Sequence, residues 1–317
     1  MAAMKRSGRI RKALGVLVLV VPVLVAVAGV RYGSAARKVP PVVSVDWLAS
    51  HLEDPNLVLL HVGDETEYAD AHLPGALHVK LDDISTPHED EALVLELPAV
   101  ETLRSKLESW GISDNSTVVV YWGNDWVSPT TRLVFTLDYM GLGQETAVLD
   151  GGMPAWRTAG HALTAAVPAP RRGRLTPRAP RAAVVADAAF VQSHARAKGW
   201  TLIDARNTRY YEGGEGSRDT RPGHIPGAVS LPFDQMVTED LHVLPERELR
   251  AKFAAAGVAP GDSLIAYCHI GQQATVVVFA ARLLGHPVRL YDGSYQDWQK
   301  RTELPVTKEP TKKGSGG

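Results

Sequence analysis

Two stretches of this chain are written twice, and that repetition limits the fold more than any other feature. Leu149-Asp150-Gly151-Gly152-Met153-Pro154-Ala155-Trp156 returns 142 residues later as Tyr291-Asp292-Gly293-Ser294-Tyr295-Gln296-Asp297-Trp298. His72-Leu73-Pro74-Gly75-Ala76 returns 152 residues later as His224-Ile225-Pro226-Gly227-Ala228. Solenoid units repeat at about 20–50 residues, so a period this long means two copies of one domain. With 317 residues, 45% of them hydrophobic, the chain can bury two cores of ordinary size. The expected domains are residues 42–164 and 183–306. Residues 165–182, rich in Pro, Ala and Arg and without apolar periodicity, read as a surface linker, and the polar tail 307–317 reads as disordered.

Inside each copy, short β-branched runs alternate with helical stretches. In the second copy, residues 201–205, 263–268 and 288–291 are too continuously apolar to face water on either side, so they belong to a buried parallel sheet. Residues 246–256 and 274–284 between them have helical composition. The first copy repeats the pattern with strands at 57–62, 117–121 and 147–149. The expected class is α/β, each domain a parallel sheet with helices on both faces.

The first thirty residues differ from the rest. Lys5, Arg6, Arg9, Arg11 and Lys12 precede an uncharged apolar run from residue 13 to residue 30. This is the pattern of a signal peptide or a membrane anchor, with the body of the protein exported to the periplasm. Ala26-Val27-Ala28 offers a cleavage pattern, and the run is also about long enough to span a bilayer, so both readings stand. A formal net charge of −1 gives no electrostatic footprint for nucleic acid.

The chain has one cysteine, Cys268. A lone thiol cannot pair within its chain, and in an oxidising compartment it is either buried and inert or used for chemistry. Cys268 closes the strand Ser263-Leu264-Ile265-Ala266-Tyr267 and is followed by His269, Ile270, Gly271, Gln272 and Gln273 before a helix opens near Ala274. Such a loop can turn several N–H groups toward its own centre, with Gly271 relieving the backbone. The helix N-terminus adds positive potential that favours a thiolate, and the same amides can hold a second sulfur after transfer. The alternative is a small hydrophobe at a strand end.

Taken together, the Cys268 loop, Gly223-His224-Ile225-Pro226-Gly227-Ala228, Asp204-Ala205-Arg206 and Asp292-Gly293 resemble the tandem rhodanese family, which includes thiosulfate and 3-mercaptopyruvate sulfurtransferases. The resemblance runs from about residue 42 to residue 306. It implies two tandem rhodanese-like domains and a double displacement. Cys268 takes sulfur from a small anionic donor as a persulfide and gives it to cyanide, a small thiol or a protein thiol, with no metal or organic cofactor. Arg206 and Arg221 are the candidates to hold the donor's anionic end. His269, Ile270, Gly271, Gln272 and Gln273 form the expected binding loop, while Asp204 and His224 are expected to be structural.

The loop matches neither donor class, since thiosulfate-type members tend to carry basic residues after the cysteine and mercaptopyruvate-type members small ones. Thiosulfate is the first expectation and 3-mercaptopyruvate the second. A sulfur-carrying module is a third reading. A phosphatase would need an Arg where Ala274 stands. In the first copy Trp122 occupies the cysteine position, His61 that of Asp204 and Gly63 that of Arg206. That domain is expected to be inactive and to help wall the cleft.

Overall fold

The computed structural model describes Met1 and residues 39–87, 92–124, 126–214 and 219–308. The signal or anchor expected in residues 1–30 falls, apart from Met1, outside the described residues, as does the tail from residue 309. Among the described residues no helix is long and apolar enough to cross a membrane.

The first domain runs β1 (Val42–Val43), α1 (Val45–His51), β2 (Leu57–Val62), α2 (Glu65–Asp70), β3 (Leu77–Val79), α3 (Val100–Ser109). It continues with β4 (Thr117–Trp122), α4 (Val127–Tyr139), β5 (Thr146–Leu149) and α5 (Gly152–Thr158). The second runs β6 (Val185–Ala186), α6 (Ala188–His194), β7 (Trp200–Asp204), α7 (Thr208–Glu212), β8 (Ala228–Ser230), α8 (Glu246–Ala255). β9 (Ser263–Tyr267), α9 (Ala274–Leu283), β10 (Val288–Tyr291) and α10 (Ser294–Lys300) complete it. Polar residues start several helices where the sequence supplies them. Ser44, Asp64, Asp187 and Asn207 each accept a first-turn amide, which satisfies donors that the helix itself cannot.

Each domain is a five-stranded parallel sheet, in the order β1-β5-β4-β2-β3 and again β6-β10-β9-β7-β8. Successive side chains of one strand enter opposite layers, as the two-residue period requires. Leu59, Val119 and Ala147 pack with Leu48, Met153 and Trp156 on one face, while Leu60, Val118 and Val148 pack with Leu103 and Leu133 on the other. Helices therefore cover both faces, which explains why the strand sequences read as unbroken apolar runs.

The domains join through α4 and α9, and the core layer between them is continuous from one sheet to the other. This explains an oddity of α4: Ser128, Thr130, Thr131, Arg132, Thr136 and Asp138 are polar yet buried. Thr131 and Thr275 share a hydroxyl hydrogen bond of 2.8 Å across the interface. The connecting segment 165–182 is tied to the first domain by Arg172–Glu108 and Arg178–Asp114 ion pairs at 2.9 and 2.6 Å.

Candidate active site

Cys268 follows the last residue of β9, a central strand, at the carboxyl edge where open parallel sheets gather their ligands. The loop after it is anchored from outside by its carbonyls. Cys268 O accepts from Tyr295 N at 3.0 Å, His269 O from Gln296 N at 2.9 Å and Gln272 O from Thr275 N at 3.0 Å. Gly271 O accepts from Arg132 Nη1 of the first domain at 3.2 Å. A trans peptide sets N–H opposite to C=O, so the amides that follow these carbonyls face the other way. Among the described residues the N–H groups of His269, Ile270, Gly271, Gln272 and Gln273 have no acceptor. A run of successive backbone donors turned to one side can receive an anion. Their position before the N-terminus of α9, a ten-residue helix, adds its dipole to the same spot.

The thiol itself is wholly covered, at 0% exposure, in the core layer shared by the two domains. A donor reaches it only when some of that cover moves. At the rim, His269, Ile270, Gln272 and Gln273 are half-buried. Gln272 Nε2 donates to Ser128 Oγ of α4 at 3.0 Å, and the His269 ring meets Tyr210 edge-on with centroids 4.5 Å apart.

Arg206, expected to hold the donor, is fully buried and committed to the protein. Nε and Nη2 grip Asp204, with Nη2 to Oδ2 at 2.6 Å, Nη2 also donates to Gly223 O at 2.7 Å, and Nη1 donates to Asp219 Oδ2 at 2.9 Å. Its plane lies over the Tyr295 ring, 4.0 Å from the centroid. Burial works against its charge, yet Asp204, Tyr267 and Asp219 hold the guanidinium above the ordinary arginine range. Asp204 also accepts the Tyr267 hydroxyl at 2.7 Å. Burial and then this neighbour push the phenol well above its usual range. Asp219 further faces His269 Nδ1 at 3.5 Å.

Arg221, the second expected anion holder, turns instead to the carbonyls of Arg301 and Leu304, at 2.9 and 2.5 Å, pinning the C-terminal segment. His224 stacks on Tyr211 at 3.8 Å between centroids and donates from Nδ1 to its carbonyl. His72 does the same with Tyr68 in the first domain, at 3.9 Å. The repeated His-x-Pro-Gly-Ala motif has a further task in both copies. Ile225 N donates to the Tyr267 hydroxyl and Leu73 N to the Tyr121 hydroxyl, each at 3.1 Å. Among the described residues no group of three or more His, Cys, Asp or Glu is placed to hold a metal ion.

Strand register makes the two loops comparable. His61 pairs with Tyr121 as Asp204 pairs with Tyr267, so Trp122 stands where Cys268 does. Trp122 is fully buried, and in this domain the loop receives an internal anion: Asn124 N donates to Glu67 Oε1 at 2.7 Å, and the same carboxylate lies against Gly123. The residue that sequence reasoning missed is Arg132. A helical Arg facing another domain has no motif of its own. The signal present in the sequence was the run of polar residues in α4, a helix otherwise apolar enough to be core.

The Rhodanese-like domain family matches residues 44–159 and 187–301. Over 271 residues the chain is 33% identical to a Pseudomonas aeruginosa protein named "Probable 3-mercaptopyruvate sulfurtransferase", covering 82% of this chain and 95% of that one. It is 30% identical over 298 residues to the mitochondrial thiosulfate/3-mercaptopyruvate sulfurtransferase 1 of Arabidopsis thaliana, covering 84% and 78%. The anaerobic ergothioneine biosynthesis enzyme of Chlorobium limicola shares the fold, with TM-score 0.73 and 23% identity over 85% of this chain and 70% of that one. Two matched domains, each with the same strand order, and relatives aligned over most of their length lead to one conclusion: the chain belongs to the tandem-domain rhodanese family of sulfurtransferases.

Proposed function

We propose that the protein moves a sulfane sulfur from thiosulfate through a persulfide on Cys268 to cyanide or a thiol. The observation that carries this reading is the row of five successive amides, His269 to Gln273, without acceptors among the described residues and next to the chain's one cysteine. In the first half-reaction the Cys268 thiolate attacks the outer sulfur of thiosulfate, a new S–S bond forms, and sulfite leaves with the electron pair of the bond that breaks. The amides hold the resulting persulfide anion. In the second half, cyanide attacks the terminal sulfur, thiocyanate departs, and the thiolate is restored. A thiol acceptor would leave as its own persulfide.

A second reading, 3-mercaptopyruvate as donor, is favoured by the charge around the loop. Arg206 is matched by Asp204 and Asp219, and Ile270, Gln272 and Gln273 are neutral, a setting better suited to a carboxylate monoanion than to a dianion. Steady-state assays with each donor and cyanide separate the two, with Cys268→Ser as control. Turnover with thiosulfate at the higher kcat/KM supports the first reading, and a preference for 3-mercaptopyruvate replaces it with the second. Loading of one sulfur without turnover on either points to a carrier that delivers to a protein thiol.

The basic head and apolar run of residues 1–30 support export, with the domains in the periplasm, free or anchored. Fractionation of cells expressing the full chain tests this, and recovery of the protein in the cytosol would overturn it.

A further inference from the structure

Arg132 belongs to α4 of the domain without a cysteine, yet its side chain is entirely buried against the loop of the other domain. Nη1 donates to Gly271 O at 3.2 Å and to Asp292 Oδ1 at 2.5 Å, and Nη2 donates to Leu95 O. Nε has no partner among the described residues. Burying a guanidinium with one donor unmatched is unfavourable, so a chain keeps it there only if the remaining contacts do something an apolar residue could not.

What they do follows from peptide geometry. The carbonyls of Cys268, His269 and Gln272 are anchored by donors of the second domain itself, from α10 and α9. Gly271 differs, its carbonyl being held outward by the first domain. The Gln272 N–H must then face the opposite way, into the ring of the loop. Gly271 sits at φ +77°, and a Cβ there would lie 2.5 Å from Asp292 O and 3.2 Å from Arg132 Nη1. The close approach therefore requires glycine at this position.

We propose that Arg132 is a positioning residue for sulfur transfer: by fixing the Gly271–Gln272 peptide it aims one amide of the cradle at the sulfur bound on Cys268. The proposal rests on the transfer reading above. The first domain is then part of the catalytic device and not only its wall, because the cradle of the second domain is incomplete without it. Asp292 serves the same end by matching the charge of Arg132, which gives its repeated Asp-Gly turn a role that Asp150 of the first domain does not share.

The test uses the full chain and three variants: Arg132→Met, Arg132→Lys, and Arg132→Met combined with Asp292→Asn, which removes both charges and keeps the protein foldable if the single change does not. Two readouts are taken on protein that unfolds cooperatively. One is the single-turnover rate of sulfite release from thiosulfate. The other is the ratio of Cys268 alkylation rates by iodoacetate and by iodoacetamide, which differ in charge and little in size. Loss of one aimed donor is expected to slow sulfite release by about tenfold or more and to lower the iodoacetate-to-iodoacetamide ratio, with Lys restoring part of both. A folded variant that keeps the wild-type ratio and rate overturns the positioning role while leaving the transfer reading intact. If the wild-type protein takes no sulfur on Cys268, both fall.

Discussion

The amide of Leu97 in the first domain donates to Asp292 Oδ2 in the second at 3.0 Å, and the interface repeats the gesture in reverse, Val243 N donating to Asp150 Oδ1 at 2.9 Å. Leu95 and Leu241, two residues earlier in each strap, share a left-handed backbone, φ 62° and 61°. Each domain thus lays a strap over the Asp-Gly turn of the other. The turns are related by sequence, but only Asp292 also pairs with a buried guanidinium.

That asymmetry sets an expectation for stability. Asp150→Ala removes an amide hydrogen bond and a half-exposed contact to His242, and is expected to cost about 1 kcal/mol. Asp292→Ala leaves Arg132 buried without its charge partner and is expected to cost about 3–5 kcal/mol. Urea unfolding of the two variants side by side measures the difference, and equal losses would contradict the importance given to the Arg132 pair.

Arg221 offers a second expectation, because its guanidinium holds the carbonyls of Arg301 and Leu304. Arg221→Ala is expected to speed amide hydrogen exchange over residues 301–307 and to leave KM for thiosulfate within about twofold. A large rise in KM with unchanged exchange would return Arg221 to the donor site.

Acid should act through the first domain. His61 is buried with neither ring nitrogen partnered among the described residues, and burial, with His78 and His72 nearby, lowers its pKa from 6.5 to about 4. Between those values the unfolded chain binds a proton that the folded chain refuses. The stability His61 permits is therefore complete above pH 6.5 and is lost as pH falls toward 4, by about 3 kcal/mol in all. Urea unfolding at pH 7 and pH 4.5 is expected to show a smaller drop for His61→Leu than for the wild type. Parallel drops would exclude His61 as the cause.

Much of this architecture was legible beforehand because the sequence states it locally. The apolar runs at 57–62, 263–268 and 288–291 lie in or end at strands, and the loss of the cysteine at Trp122 is plain from strand register. Local signals could not say whom an arginine faces. Arg206 sits at the carboxyl edge of the sheet as its motif implied, but Asp219, thirteen positions on, closes over it. Arg132 carries no motif, and its meaning depends on a carbonyl 139 residues away. Glu67 in the first-domain loop was hidden for the same reason, since only folding brings that carboxylate to Asn124.

On the proposed transfer, the amides of His269 to Gln273, without acceptors among the described residues, receive a sulfur atom carried on Cys268. Intact mass of the protein after incubation with thiosulfate, or with 3-mercaptopyruvate, shows whether they do. The expected result is a gain of about 32 Da, one sulfur, absent in Cys268→Ser and reversed by cyanide. An unchanged mass with both donors, or a gain that persists in Cys268→Ser, would contradict it.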